Sequence, residues 1–347
     1  MGRLVAAGLL ALSVGGCTTG PEGGEGGAPY DGPPIPWAYA PFPEPSVPAD
    51  NPQTKEKAAL GLALFYDPIL SRDEKTACVP VSVGVDGEGP VGPGRDGPNK
   101  TTRNSLTLWN VAFRPALFHD GRTPSLEEQA LLPIENEREM DLPVAQAVAK
   151  LRAVPAYRAL FEAAFPGEAE PINEQNLARA LSAFQRTLVS KRATYDRYVA
   201  GDVGALADET VAGMFLFAEA GCASCHEPPL FEASRYARRL ESSDRGRALV
   251  TGLPEDEGAF RIATLRNIRD SGPYFHDGRA VSLLDAVRTE VGVAVARGES
   301  RPMSDLEIQR IETFLDKALI DRSGEPARPR SVPRGLKVPA DGNRIPR

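Results

Sequence analysis

From about residue 53 onward, apolar positions in this chain recur at helical spacing. Leu177, Leu181, Phe184 and Leu188 stand 4, 3 and 4 positions apart, which places them on one face of a helix. Ser304 followed three residues later by Glu307 is the pattern of a capping box. It predicts a helix whose buried stripe is Ile308, Ile311, Phe314, Leu315 and Leu319. The same period predicts helices over 53–65, 126–132, 144–151, 157–165, 209–219 and 282–290. No alternating run long enough for a strand interrupts them. Helices joined by Gly/Pro loops predict an all-α fold.

A repeat divides the chain. Thr107-Leu108-Trp109-Asn110-Val111, Phe118-His119-Asp120-Gly121-Arg122 and Ser125-Leu126 recur as Thr264-Leu265-Arg266-Asn267-Ile268, Phe275-His276-Asp277-Gly278-Arg279 and Ser282-Leu283. Every pair is offset by 157 positions, without a gap. A match of that length predicts two copies of one module related by internal duplication. Outside the copies, 17–48 is rich in Gly and Pro and reads as a flexible tether. The tail 322–347 is rich in Pro and Arg and reads as an extended segment with no core of its own.

Cys222-Ala223-Ser224-Cys225-His226 carries the chemistry. C-x-x-C-H is the attachment motif for c-type haem: two thiols on one turn add to the porphyrin vinyl groups, and the histidine supplies the proximal iron ligand. A thioredoxin-like or zinc-binding CxxC competes with that reading. Neither needs a histidine after the second cysteine, and no second CxxC or His pair completes a zinc site. Residues 1–16, with Arg3, an apolar run and Gly15-Gly16 before Cys17, read as a lipoprotein signal peptide. Lipid on Cys17 would anchor the mature protein to a membrane in the periplasm, although an ordinary cleaved signal fits the same run. Of the four cysteines, Cys78 is left without a role. Net charge is −7 with no long basic block, which argues against a nucleic-acid partner.

Cys78 follows Thr76-Ala77 as Cys222 follows Ala220-Gly221. It is succeeded by Val79-Pro80-Val81-Ser82, with no second cysteine and no histidine. From cysteine to the Thr-Leu-x-Asn element is 42 residues in the second copy and 29 in the first. The first copy thus keeps one haem cysteine and lacks the rest of the motif.

Gly61-x-x-Leu64-Phe65-Tyr66-Asp67 with Leu70-Ser71, Arg103-Asn104-Ser105, the paired Phe-His-Asp-Gly-Arg elements and the single CxxCH resemble the bacterial di-haem cytochrome c peroxidase family. That family includes the di-haem enzymes that oxidise tryptophan side chains of partner proteins, and the likeness covers roughly residues 46–320. It implies two cytochrome c-like domains, N-terminal over 49–204 and C-terminal over 205–321. An electron-transfer haem in the second would feed a peroxidatic haem in the first. The implied reaction is reduction of hydrogen peroxide by electrons from a small cytochrome c, and the family admits a homodimer. Gln129 and Glu139 match its acid/base pair, and Asn104 with the carbonyls of Ser271 and Pro273 matches its calcium site.

Three departures from the family matter. The N-terminal haem motif is absent, so one covalent haem is secure and a second is not. His119 stands where the peroxidases carry a tryptophan between the haems, and His276, its counterpart in the second copy, matches a family histidine near the electron-transfer haem. Glu290 stands 14 residues after His276, where relatives place methionine or tyrosine as distal iron ligand; it is a candidate ligand, with a solvated glutamate on the helix as the competing reading. A carboxylate there would favour ferric iron. Met303 is a poorer candidate, because it precedes the Ser304 cap and is placed to staple onto Ile308. A mono-haem electron carrier with a scaffold-only N-terminal module is the alternative reading.

Overall fold

The computed structural model describes residues 30–78, 102–238 and 242–338. Gly32–Arg347 form one unit, and of Met1–Asp31 only Tyr30 and Asp31 are described. Residues 1–16, expected to be a signal peptide, Cys17 and the end of the tail lie outside the described residues. No helix among those described is long and apolar enough to cross a membrane.

The described residues are mostly helical: α1 Lys55–Tyr66, α2 Leu126–Glu135, α3 Val144–Arg152, α4 Pro155–Ala164, α5 Glu174–Gln185, α6 Thr194–Val199, α7 Asp208–Glu219, α8 Ala248–Thr251, α9 Leu283–Ala296 and α10 Asp305–Ala318. Local chemistry sets their starts. Thr54, Ser125, Asn173 and Ser282 each accept a backbone N–H of the first turn of α1, α2, α5 and α9. At α10 the box closes both ways: Ser304 N–H donates to Glu307 at 2.7 Å and Glu307 N–H to Ser304 Oγ at 3.4 Å. The fold is not purely helical. Strand β1 (Tyr236–Arg238) pairs antiparallel with β2 (Ala259–Arg261), Ala237 opposite Phe260. Three residues are too few for alternation to show in sequence.

Two hydrophobic cores form. The first holds Leu60, Leu64, Trp109, Phe161, Leu181 and Phe184; the second holds Met214, Phe217, Phe231, Ile311 and Phe314. Each is built on a helix crossing, α1 on α5 and α7 on α10. Both crossings need glycine at the point of contact. A Cβ at Gly61 would overlap the Ala180 carbonyl, and one at Gly213 the Arg310 carbonyl.

The repeated loops take repeated shapes. Asn110 and Asn267 are left-handed, at φ 59° and 57°. Asn110 N–H donates to Leu188 O while its side chain pairs with the Ser190 backbone; Asn267 does the same with Leu319 and Asp321. Each asparagine therefore ties its loop to the chain leaving the last helix of its lobe.

Two segments expected to be loose are packed. Within the supposed tether, Trp37 enters the second core among Phe217, Phe231 and Phe314, and its indole N–H donates to Tyr195 Oη at 3.0 Å. Within the tail, Val332 is buried in the first core and Arg334 donates to Asp67 at 3.0 Å and also pairs with Glu74. The sequence hid both because their partners lie far away along the chain.

The lobes meet at a buried ion cluster. Arg114 of the first lobe donates to Glu232 of the second at 3.2 Å, and Arg261 lies 4.0 Å from the same carboxylate. Burial and the Arg114 charge lower the Arg261 guanidinium to about 9. Glu232→Ala leaves two buried cations uncompensated, and urea unfolding should show a loss of about 3–5 kcal/mol. A loss below about 1 kcal/mol, the scale of an exposed pair, would mean that water reaches the cluster.

Candidate functional site

Gly221, left-handed at φ 78°, turns the chain out of α7 into the 3-10 turn Cys222–Ser224. His226 N–H donates to Cys222 O at 2.9 Å, which puts both thiols and the imidazole on one turn. The His226 ring is held from behind: Nδ1 lies 3.2 Å from Phe231 O and 3.1 Å from Ala263 O. Two carbonyls can only accept, so Nδ1 carries the proton and Nε2 is the nitrogen suited to ligate iron. The Cys222 thiol is pushed up to about 12 by burial, then by the Glu290 charge, then by Cys225. Glu290 of α9 therefore stands close to the attachment turn, and Met303 packs, partly buried, against the second core. Two unbridged thiols and an oriented imidazole fit a c-type haem.

Between the lobes lies a cleft of about 800 Å³ whose walls include Asn104, His119, Gln129, Glu139 and His276. Asn104 joins the two repeats. Its N–H donates to His276 O at 2.6 Å, its carbonyl accepts from His119 Nε2 at 2.8 Å, and its side-chain amide reaches Pro273 O at 2.5 Å. The Ser271 backbone N–H and hydroxyl are both used on Ile268 O, one turn earlier. His276 stacks on Phe260 at 3.9 Å between ring centroids and shares a hydrogen bond with Ser242 Oγ at 2.8 Å. Arg103 spans Asp120 and Asp244, at 2.6 Å from each, and holds the Asp244 carboxyl down at about 2.

His119 is lowered to about 4, first by burial and then by the charges of Arg103, Arg261 and His276. Burial also lowers His276. An unfolded histidine takes up its proton near 6.5, whereas folded His119 does so only near 4. Between those values the unfolded chain binds more protons, so stability falls as pH drops through that window. Urea unfolding at pH 7 and pH 5 should show this slope, and His119→Gln should flatten it. An unchanged slope in the variant would mean that His119 is solvated.

Cys78 lines a second and smaller pocket that shares Gln129 and Glu139 with the cleft as a common wall. Glu139 accepts from Asn136 Nδ2 at 2.6 Å and is raised by burial. The Gln129 amide oxygen is buried without a partner. The structure thus brings the sequence pair Gln129 and Glu139 together, beside Cys78. The first lobe does not fit a covalently held haem: it offers one thiol and no histidine to follow it.

Comparison with known proteins places this architecture. Residues 55–204 match the family model described as di-haem cytochrome c peroxidase. The chain is 36% identical to cytochrome c551 peroxidase of Pseudomonas aeruginosa over 68% of its own length and 72% of the relative's. It is 37% identical to methylamine utilization protein MauG of Methylorubrum extorquens, over 76% of each chain. The chain belongs to the di-haem cytochrome c peroxidase family. It is by descent a peroxidase-type haem enzyme. The fold agrees: a MauG-like protein associated with microbial copper homeostasis superposes with a TM-score of 0.70 at 28% identity, over 83% of this chain and 97% of that one. Within the family, the matched model covers the lobe whose haem motif is missing, while CxxCH stands in the other.

Several groups of the site escaped the sequence reading. Ser242 and Phe260 hold His276, and Glu232 joins the lobes, yet none sits in a motif. Their only signal was position near the CxxCH copy. Among the described residues, no three His, Cys, Asp or Glu side chains converge as a metal site.

Proposed function

We propose that this protein carries one covalent haem c, on Cys222 and Cys225 with His226 as proximal ligand, and reduces hydrogen peroxide with electrons from a small cytochrome c. The observation that carries the reading is the His226 ring on the turn of Cys222 and Cys225, oriented at Nδ1 by two carbonyls so that Nε2 is the nitrogen suited to ligate iron. When bound, the haem supplies a redox-active iron. The chain's own part is to orient the imidazole and to bring Glu290 to the attachment turn. Glu290 is proposed as a second residue that would hold the haem iron, and Glu290→Met should then raise the midpoint potential. Asn104 and the carbonyls of Ser271 and Pro273 are proposed to take calcium once the Asn104 amide turns its oxygen inward. The repeated asparagine and Phe-His-Asp-Gly-Arg loops support duplication of one module. The signal at 1–16 and Cys17 support a lipid-anchored periplasmic protein.

A second reading, a mono-haem electron carrier, is favoured by Cys78 standing alone in the first lobe, with no second cysteine and no histidine following it. Peroxide-dependent oxidation of reduced cytochrome c by the purified protein tests the two. Turnover above that of the heat-inactivated protein supports the peroxidase. Rapid electron exchange with cytochrome c and no peroxide consumption supports the carrier.

A further inference from the structure

The small pocket of the first lobe combines features that none of the haem chemistry uses. It has room of about 30 Å³, enough for one small species, and Cys78, Met140, Gln129, Gln185 and Glu139 line it. Cys78 Sγ lies 3.9 Å from Met140 Sδ. Gln185 is 2% exposed and its amide oxygen has no hydrogen-bond partner; the Gln129 oxygen beside it has none either. Buried carbonyl oxygens without donors cost free energy unless something electropositive meets them. A thiol, a thioether and two amide oxygens around one small space form a donor set in search of a cation.

We infer that Cys78 and Met140 form a binding site for a soft monovalent metal ion, copper(I), with the amide oxygens of Gln185 and Gln129 completing its surroundings. Softness selects the metal, since paired thiolate and thioether sulfurs favour copper(I) over hard cations. Geometry agrees. With metal–sulfur bonds of about 2.3 Å, sulfurs at the observed spacing subtend about 115° at the ion, between tetrahedral and trigonal. Charge agrees too. One copper(I) and one thiolate are neutral together, so the pair can be buried without a further counter-ion, whereas a divalent ion would also need Glu139 ionised. Binding exchanges the Cys78 proton for the metal: thiol and copper(I) give the copper thiolate and one proton, released to solvent, with no change of oxidation state. Without metal the thiol is held protonated, at about 12, by burial and then by the Glu139 charge. It is therefore a poor nucleophile toward peroxide. The Met140 backbone is fixed on both sides, its N–H to Pro133 O and its carbonyl from Arg72 N–H, so the point from which the thioether extends is held in place.

The test uses purified holoprotein, in which haem occupies Cys222 and Cys225. Copper(I), kept reduced by ascorbate without oxygen, is titrated against a copper(I) chelator of known affinity, and silver(I) serves as a redox-inert probe. One copper(I) per chain is expected. Cys78→Ser should weaken it by at least 100-fold and Met140→Leu, a change of similar volume, by at least 10-fold, both with an unchanged haem spectrum. Silver(I) should also protect Cys78 from alkylation by a maleimide in the unaltered protein. Stoichiometric binding that survives Cys78→Ser would overturn the site. So would zinc binding as tight as copper(I), or alkylation of Cys78 that silver(I) does not slow, which would leave the pocket to a buried water.

Discussion

Serine at Cys222 and Cys225 together should yield a chain with no covalent haem. Mass spectrometry of the denatured protein should show one added haem in the parent and none in the double variant, and all peroxidase turnover should vanish with it. The expectation rests on the count of competent groups. Both thiols and the imidazole stand on one turn of the second lobe, and the carbonyls of Phe231 and Ala263 orient the ring from outside it. In the first lobe Cys78 stands 3.9 Å from Met140 Sδ and has no second thiol or following histidine to share a haem with. A parent mass with two haems, or one haem retained by the double variant, would assign a single thioether bond to Cys78.

His226→Gly should lower turnover by at least 100-fold, whereas Glu139→Ala should change it by less than about 3-fold. A positioned acid or base contributes about 10²–10⁴-fold, but only to groups within about 3 Å or one bridging water. Glu139 is chemically suited to proton transfer. Burial raises its pKa, Asn136 orients it, and Gln129 stands beside it with an unpartnered oxygen. Its reach, however, covers the first lobe's pocket and the adjoining cleft wall, and the first lobe offers no CxxCH for a covalent haem. The comparison is made by steady-state oxidation of reduced cytochrome c at saturating peroxide. A loss of 100-fold or more in Glu139→Ala would show that a reactive centre does occupy the first lobe and that the full two-centre chemistry of the family operates there.

How much of this was legible in the sequence followed the range of the interactions. The α10 capping box and its stripe from Ile308 to Leu319 involve residues within a few turns of each other, and the structure reproduces them. The turn bearing Cys222, Cys225 and His226 was legible for the same reason. Boundaries moved where local and tertiary preferences diverge: α5 stops at Gln185, so Leu188 is buried in the turn beyond it, and α9 runs on to Ala296. The partners of His276 were not legible. Phe260 reaches it from a strand three residues long, and Ser242 from a loop 34 positions upstream. Asn104 was found only through family likeness, because its three contacts run to two distant loops. Trp37 and Arg334 failed differently. Pro- and Gly-rich surroundings describe the backbone around them, and a single large side chain finding a distant hole leaves composition unchanged.

The placement of Trp37 and Arg334 has a consequence for dissecting the molecule. The chain's early segment closes the second lobe, and its late segment closes the first, so each lobe is finished by the opposite end of the polypeptide. A cut in the connection near residue 190 would therefore separate neither half intact. One fragment would carry off the indole that fills the other's aromatic core, and that other would retain the arginine needed at Asp67. Expressed apart, both halves should expose apolar surface and associate, and mixing them should restore one folded species in which the two polypeptides are interlaced.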